Sequence, residues 1–253
     1  MTKIFKNKLA ILKEFIDICN EHSLWYSLDN ESLLALVNDL DFWEKTDHYE
    51  VIMTFESYEK LRELYPNKIL DSVKHSDYYS LQNKFVENIN NIYEDCPFID
   101  INLIIPTSIE KIRKFYKHKN KSISYHQFFA SINYTNIPKI KNKIFLSKII
   151  KNFKSSLNYK DFINQLHDDN YEGFIVTSPL INKVFLTKWL TNTNYNLRIF
   201  EKDGLKINVI NEYQSYLKNI FGSEWKKIRN LDLKYDFISC TGIIKHEEFK
   251  EME

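Results

Sequence analysis

Four ionisable side chains lie in or beside apolar segments, in a pattern that suits a metal site. Asp47, His48 and Glu50 directly precede the strand-like run VIMTF, and Asp100 lies inside the run FIDINLII. Side chains at positions i and i+2 of a strand point to the same face, so two such residues can share a cation. An acid in a segment as apolar as that around Asp100 is costly to bury unless it is paired, bound to a cation or turned to a cleft. The alternatives are a solvated loop for the first three residues and an exposed edge strand for Asp100.

Apolar periodicity predicts the elements that must position these residues. Helices are predicted over residues 4–22, from a cap at Asp29 or Asn30 to Val37, over 56–65 with a stop at Pro66, over 108–118, over 141–157, and from a cap at Asn211 to Gly222. Strands are predicted over residues 24–28, 49–55, 98–105 with an end at Pro106, 174–177, 197–200 and 205–210, with a turn at Asp203-Gly204. Residues 68–93 are expected to form a polar hairpin or meander. Strands that alternate with helices indicate an α+β or mixed α/β fold.

The composition sets broad limits on the class of protein. With 43% hydrophobic and 27% charged residues, the chain of 253 residues has the make-up of a globular protein with a sizeable core. Its three cysteines form no disulfide or zinc motif, which indicates a reducing compartment. The N-terminus lacks the apolar segment of a signal peptide, and no apolar run reaches the ~20 residues of a membrane span. We therefore expect a cytoplasmic protein.

The positive charge is concentrated in one stretch of the chain. Residues 111–160 contain 13 Lys and Arg but no Asp or Glu, while the remaining chain has 22 basic and 34 acidic residues. Such a stretch is expected to face an anionic phosphate, a glycan or a membrane surface, or else to be a solvated face. The amphipathic pattern of residues 141–157 fits contact with a membrane surface as well as ordinary core packing. Nucleic acid is a weaker expectation, because no recognition motif accompanies the charge.

Three segments, taken together and in order, resemble the signature of the LicD family of phosphotransferases. The family's short strand, Gly-Thr-Leu-Leu-Gly turn, Trp-Asp-Asp-Asp-Ile-Asp-Ile stretch and Tyr-containing helix start correspond to LWYSLDNESLLALVNDLDFWEKTDHYEVIMTFESYEKL. Its later Val-Asp-Ile-Phe strand corresponds to FIDINLIIPTS. Its C-terminal hairpin, Pro-Lys-Asp-Tyr helix and Tyr-Gly-Asp-Tyr/Trp ending correspond to FEKDGLKINVINEYQSYLKNIFGSEWKKI. The likeness in order and spacing extends over residues 9–229.

The resemblance implies a nucleotidyltransferase-like fold, with a mixed sheet flanked by helices, in a single domain over residues 1–253. The core would span 9–106, a basic helical insert 107–170, and a C-terminal hairpin and helix 171–230. Family members transfer a phosphorylated alcohol, often phosphocholine from CDP-choline, to glycans, and they use Mg²⁺ or Mn²⁺. The resemblance therefore implies a CDP-linked donor and an anionic or lipid-linked glycan acceptor of lipopolysaccharide, capsule or teichoic acid biosynthesis. The basic stretch would then meet the inner membrane surface.

The resemblance also assigns roles to the four ionisable residues. The metal ligands would be His48, Glu50 and Asp100, and the catalytic carboxylates would be Asp47, Glu50 and Asp100. A cation held there would neutralise the donor diphosphate and stabilise the charge of an in-line transfer. Imidazole at His48 suits Mn²⁺ better than Mg²⁺, which prefers hard oxygen ligands.

Three further residues are secondary candidates. Ser32, at the start of its predicted helix, would offer its hydroxyl and backbone N–H to a donor phosphate. Asp39 and Asp41 match the Asp-x-Asp pattern of nucleotidyltransferases in an alternative alignment and are reserve metal candidates. The segment FWEKT that follows them does not match the apolar strand that this register requires.

The chain departs from the family pattern at Glu31 and Ala35, which replace the two glycines of the turn, and at His48, which replaces an aspartate. These departures favour an alternative, a catalytically inactive relative that serves as a binding or regulatory module. Another alternative is a nucleotidyltransferase that uses an intact NTP. Binding of a divalent metal and CDP distinguishes the phosphotransferase from both.

Overall fold

The computed structural model of the protein describes residues 3–41, 48–75, 82–91, 97–115, 158–177, 187–191 and 194–230. Several predictions fall on other residues: Asp47, the helix over 141–157 and most of the basic stretch 111–160 lie outside the described residues. Within the described part, the protein is a mixed structure of helices and a curled sheet, which agrees with the predicted α+β class. No helix of the described part has the length and apolar character of a membrane span.

Helices form where apolar residues recur at helical spacing. Local stop signals in the sequence end them. The described α-helices are α1 (Lys3–Glu21), α2 (Asn30–Val37), α3 (Phe55–Leu64), α4 (Ile109–Phe115), α5 (Tyr159–Leu166) and α6 (Tyr213–Phe221). The Asp29 carboxylate caps α2 by accepting from the N–H of Asn30, which confirms the predicted cap. Gly222 ends α6 with φ 83°, as predicted, because a positive φ is freely accessible to glycine.

The strands form one large sheet and one hairpin. The described strands are β1 (Tyr26–Leu28), β2 (Tyr49–Thr54), β3 (Ile69–Leu70), β4 (Asn83–Val86), β5 (Phe98–Thr107), β6 (Gly173–Val176), β7 (Trp189–Leu190), β8 (Leu197–Lys202) and β9 (Leu205–Ile210). The sheet order is β1-β2-β5-β4-β3, and β6 pairs with β5 and with β7. β2 and β5 are parallel, whereas the other pairs are antiparallel. β8 and β9 form the hairpin around the predicted Asp203-Gly204 turn, whose φ angles of 50° and 79° are those of a hairpin turn.

The two faces of the central strands differ in chemistry. One face is apolar and packs against α1, where the Phe15 ring contacts Tyr26 and Phe85 at centroid distances of 5.4 and 5.5 Å. The other face carries Glu50, Asp100 and Lys84, which are direct register partners across β2, β5 and β4. The ionisable groups therefore share one face of these strands, on which Ile52 and Ile104 are also buried in the core.

Two predictions about strands need correction. The hairpin or meander predicted within 68–93 is present as the antiparallel strands β3 and β4, but both strands are buried, including the polar residues Asn83 and Lys84. β5 does not end at Pro106 but continues to Thr107 through its pairing with β6. The last residue of β5 that pairs with β2 is Ile104, so Pro106 needs no N–H on that side.

The alternative environment considered for Asp100 and the predicted cap of the last helix are also wrong. Asp100 does not lie on an exposed edge, because β5 is flanked by β2 and β4 at this position and the residue is buried. Asn211 does not cap α6, since its side-chain oxygen accepts from Nε of Arg198 at 2.6 Å and the cap position is Glu212. The short helix α5 was not predicted; its capping box is formed by Asn158 and Asp161.

Candidate metal centre

Parallel pairing of β2 with β5 brings three predicted metal ligands together. Glu50 and Asp100 are directly opposite each other in the register, and His48 precedes β2 by one residue. Within the described residues, His48, Glu50 and Asp100 form a group whose ligand atoms all lie within 4.8 Å of one another. The Nε2 atom of His48 lies 3.0 Å from Oδ2 of Asp100. This is a hydrogen-bond contact. Two neighbouring ligands of one octahedral ion with metal–oxygen bonds of ~2.1 Å also lie roughly 3 Å apart, so the pair could hold a cation only after giving up the proton that it shares.

The imidazole is held by an aromatic ring. His48 stacks on Phe98 with a centroid distance of 5.1 Å and an interplanar angle of 22°. Phe98 begins β5, two residues before Asp100, so it lies on the same face of the strand as the carboxylate. The ring therefore orients His48 so that its Nε2 atom contacts Asp100.

A buried lysine shares Asp100 with His48. Lys84 forms an ion pair with Oδ1 of Asp100, and both side chains are almost fully buried. The ammonium also lies 4.0 Å from the centroid of the Phe98 ring, a cation–π contact. Burial alone would raise the pKa of Asp100, but the positive charge of Lys84 and the contact with His48 outweigh it and lower that pKa. Asp100 is therefore held as a carboxylate.

A second buried pair lies beside the first. Asp29 is completely buried and accepts from Nζ of Lys188 at 2.9 Å, from the hydroxyl of Tyr216 at 2.6 Å and from the amide of Asn102 at 2.7 Å. Asn102 follows Asp100 on the same face of β5, so the two networks are neighbours. The lysine neutralises Asp29, and the neutral donors fill its remaining lone pairs.

Glu50 lies between these pairs. Its Oε2 atom accepts from the N–H of Glu31 at 3.3 Å, in the first turn of α2. Burial raises the pKa of Glu50 to about 7, although the positive charges of Lys188 and His48 oppose the shift. The carboxylate thus occupies the N-terminal end of α2, where a helix favours negative charge.

The secondary candidates do not join this group. Oγ of Ser32 is buried and accepts from the N–H of Glu50 at 3.0 Å, so its hydroxyl braces β2 rather than facing an open cleft. Asp39 is exposed and pairs with Lys202 at 2.9 Å, and Asp41 is exposed. Asp47 lies outside the described residues.

Four residues of the site were missed as functional candidates: Lys84, Lys188, Asn102 and Tyr216. The clearest available signal was Lys84, a charged residue within the otherwise strand-like run NKFV. Asp29 was predicted only as a helix cap, although its carboxylate has three further partners.

The donor set fits a divalent transition ion. One imidazole and two carboxylates suit Mn²⁺ better than Mg²⁺. When the three acids Asp29, Glu50 and Asp100 are ionised and His48 is neutral, the two lysines leave one net negative charge. That charge is small for holding a bare divalent ion.

Comparison of the chain with models of known protein families, with curated proteins and with solved structures found no significant match. A functional assignment therefore rests on the chemistry of the site.

Proposed function

We propose that the protein is a metal-dependent transferase of the LicD type, which moves a phospho-alcohol such as phosphocholine from a CDP-activated donor to a surface glycan. The observation that carries this proposal is the in-register placement of Glu50 and Asp100 on parallel strands, with His48 in reach of both. Two carboxylates and an imidazole that converge in this way could hold a cation next to a donor diphosphate. Mn²⁺ or Mg²⁺ would supply charge neutralisation there.

The proposed reaction is an in-line displacement at phosphorus. The acceptor hydroxyl attacks the phosphorus that carries the alcohol, and the bond from this phosphorus to the bridging oxygen of the diphosphate breaks. CMP leaves with the electron pair of that bond, and the hydroxyl proton passes to solvent or to a nearby base. His48, Glu50 and Asp100 would hold the cation, and Lys84 and Lys188 would supply positive charge next to the diphosphate.

The proposed acceptor is an anionic or lipid-linked glycan at the inner membrane surface. The charge of residues 111–160 supports this part of the proposal, since 13 basic residues without an acid favour an anionic surface. The stretch would then raise the local concentration of acceptor near the site.

Thermal unfolding with Mn²⁺ or Mg²⁺, with and without CDP, tests the proposal. A ligand at a hundred times its Kd adds ~2.7 kcal/mol of stability, which corresponds to roughly 5 °C or more in Tm for a chain of this size. We expect a CDP-dependent shift that requires metal and disappears in Asp100→Asn and Glu50→Gln. The control Asp17→Asn removes an exposed carboxylate of α1 and should keep the shift. The proposal fails if millimolar metal and CDP leave the wild-type Tm unchanged, and a stronger response to an intact NTP would indicate a nucleotidyltransferase.

A second candidate, a catalytically inactive binding or regulatory module, is favoured by a different observation. Lys84 and Lys188 already neutralise Asp100 and Asp29, and Glu50 already occupies the N-terminus of α2. A site whose charges are balanced in this way can keep the fold without a cation. Binding of CDP that is independent of metal, with no turnover of CDP-choline, would support this candidate.

A further inference from the structure

We infer that Lys84 is an internal counter-ion which weakens the binding of a bare metal ion and makes metal binding depend on an anionic diphosphate. This inference rests on the proposed function and deepens it, because it specifies how the same site recognises the diphosphate of its donor. It assigns a role to a residue that was not among the predicted site residues.

Lys84 is fixed next to Asp100 by its surroundings. Its side chain is 3% exposed, and its strand β4 lies between β3 and β5. The ammonium contacts one oxygen of Asp100 and the face of Phe98, and Asp100 is the one acid it contacts in the described part of the chain. Lys84 therefore cannot withdraw into solvent without a rearrangement of its strand.

A cation bound at this centre would share the Asp100 carboxylate with Lys84. His48 contacts the other oxygen of that carboxylate, so both oxygens are already engaged. Two positive groups on one buried carboxylate repel each other strongly, since neither salt nor water screens them well. If the ion instead displaced the ammonium, Lys84 would remain as a buried charge without a partner, which is also unfavourable.

An anionic diphosphate removes this conflict. Its oxygens can accept from the ammonium of Lys84 while they also neutralise the cation, so the lysine exchanges one anionic partner for another. Each of the two ligands then lowers the cost of binding the other. The coupling must be reciprocal: CDP tightens metal binding by the same factor by which metal tightens CDP binding.

Calorimetric titration of the full chain with Mn²⁺ and with CDP tests the inference. For the wild type we expect weak binding of Mn²⁺ alone and at least a tenfold increase in CDP affinity at saturating Mn²⁺. Lys84→Gln should bind Mn²⁺ alone about tenfold more tightly and should lose most of the coupling to CDP. Lys84→Arg keeps the charge and should bind Mn²⁺ as weakly as the wild type. Lys68→Gln is a matched control, because Lys68 also contacts an acid and an aromatic ring, Glu14 and Phe85.

The outcomes separate the inference from the function on which it rests. Failure of every variant to bind Mn²⁺, with or without CDP, would overturn the proposed function. Binding by the wild type with no gain in Lys84→Gln would overturn only the role of Lys84. If Lys84→Gln does not fold, the wild type and Lys84→Arg still test the role of Lys84. A CDP affinity that saturating Mn²⁺ leaves unchanged in these two proteins contradicts the inference. A tenfold increase in that affinity supports it.

Discussion

Replacement of Asp29 by alanine should strongly destabilise the protein, although Asp29 is not one of the proposed metal ligands. The carboxylate is completely buried and accepts hydrogen bonds from Lys188, Tyr216, Asn102 and the N–H of Asn30, at 2.6 to 2.9 Å. Its loss leaves the ammonium of Lys188 as a buried charge without its acid. Breaking a buried ion pair from one side costs about 3–5 kcal/mol, so we expect the free energy of unfolding to fall by about 4 kcal/mol. That is a large part of the ~5–15 kcal/mol that stabilises a typical domain.

Urea unfolding followed by tryptophan fluorescence measures this loss of stability. A double-mutant cycle shows how much of it comes from the unpaired charge of Lys188. Asp29→Ala/Lys188→Met also removes the stranded charge and should recover about 2 kcal/mol relative to Asp29→Ala. Asp17→Ala, in an exposed pair with Lys13, should change stability by less than ~0.5 kcal/mol. A loss below ~1 kcal/mol for Asp29→Ala, or simple additivity in the double variant, would refute the reasoning.

Three other predictions concern charge, metal choice and packing. Because burial raises the pKa of Glu50 to about 7, its stabilising effect is complete below pH 4.5 and is lost as the pH rises to about 7. Urea unfolding across this pH range should therefore show that the free energy of unfolding of the wild type falls by at most ~3 kcal/mol relative to that of Glu50→Gln, since Glu50 keeps some solvent contact. The same pH dependence of unfolding free energy in both proteins would contradict this. His48→Asp should shift metal preference from Mn²⁺ towards Mg²⁺ in calorimetric titrations, because it supplies a hard oxygen ligand; an unchanged preference would argue against His48 as a ligand. Gly173→Ala should cost ~1–3 kcal/mol by urea unfolding, since its Cβ would press on the indole of Trp189 and on the backbone carbonyl of Leu190; a neutral effect would contradict this.

Local periodicity was sufficient for the elements that surround the site. α1, α2, α3, β2, the first part of β5 and the β8–β9 hairpin lie within one or two residues of their predicted bounds, because caps, turns and apolar spacing act between near neighbours in sequence. The resemblance to the LicD family also implied His48, Glu50 and Asp100 as a set of metal ligands. Their proximity depends on two strands that are about fifty residues apart, and the structure brings them to within 4.8 Å.

Only the tertiary structure revealed what neutralises these acids. Lys84 lies 16 residues from Asp100 and Lys188 lies 159 residues from Asp29, so no local pattern predicts either pair. The same holds for Ser32, whose place at a helix start suggested a phosphate contact, whereas its hydroxyl accepts from the backbone of β2. Residue types along the chain determined which groups can bind a cation. Strand register and burial decided how much of their charge is already compensated, because the compensating groups come from distant parts of the chain.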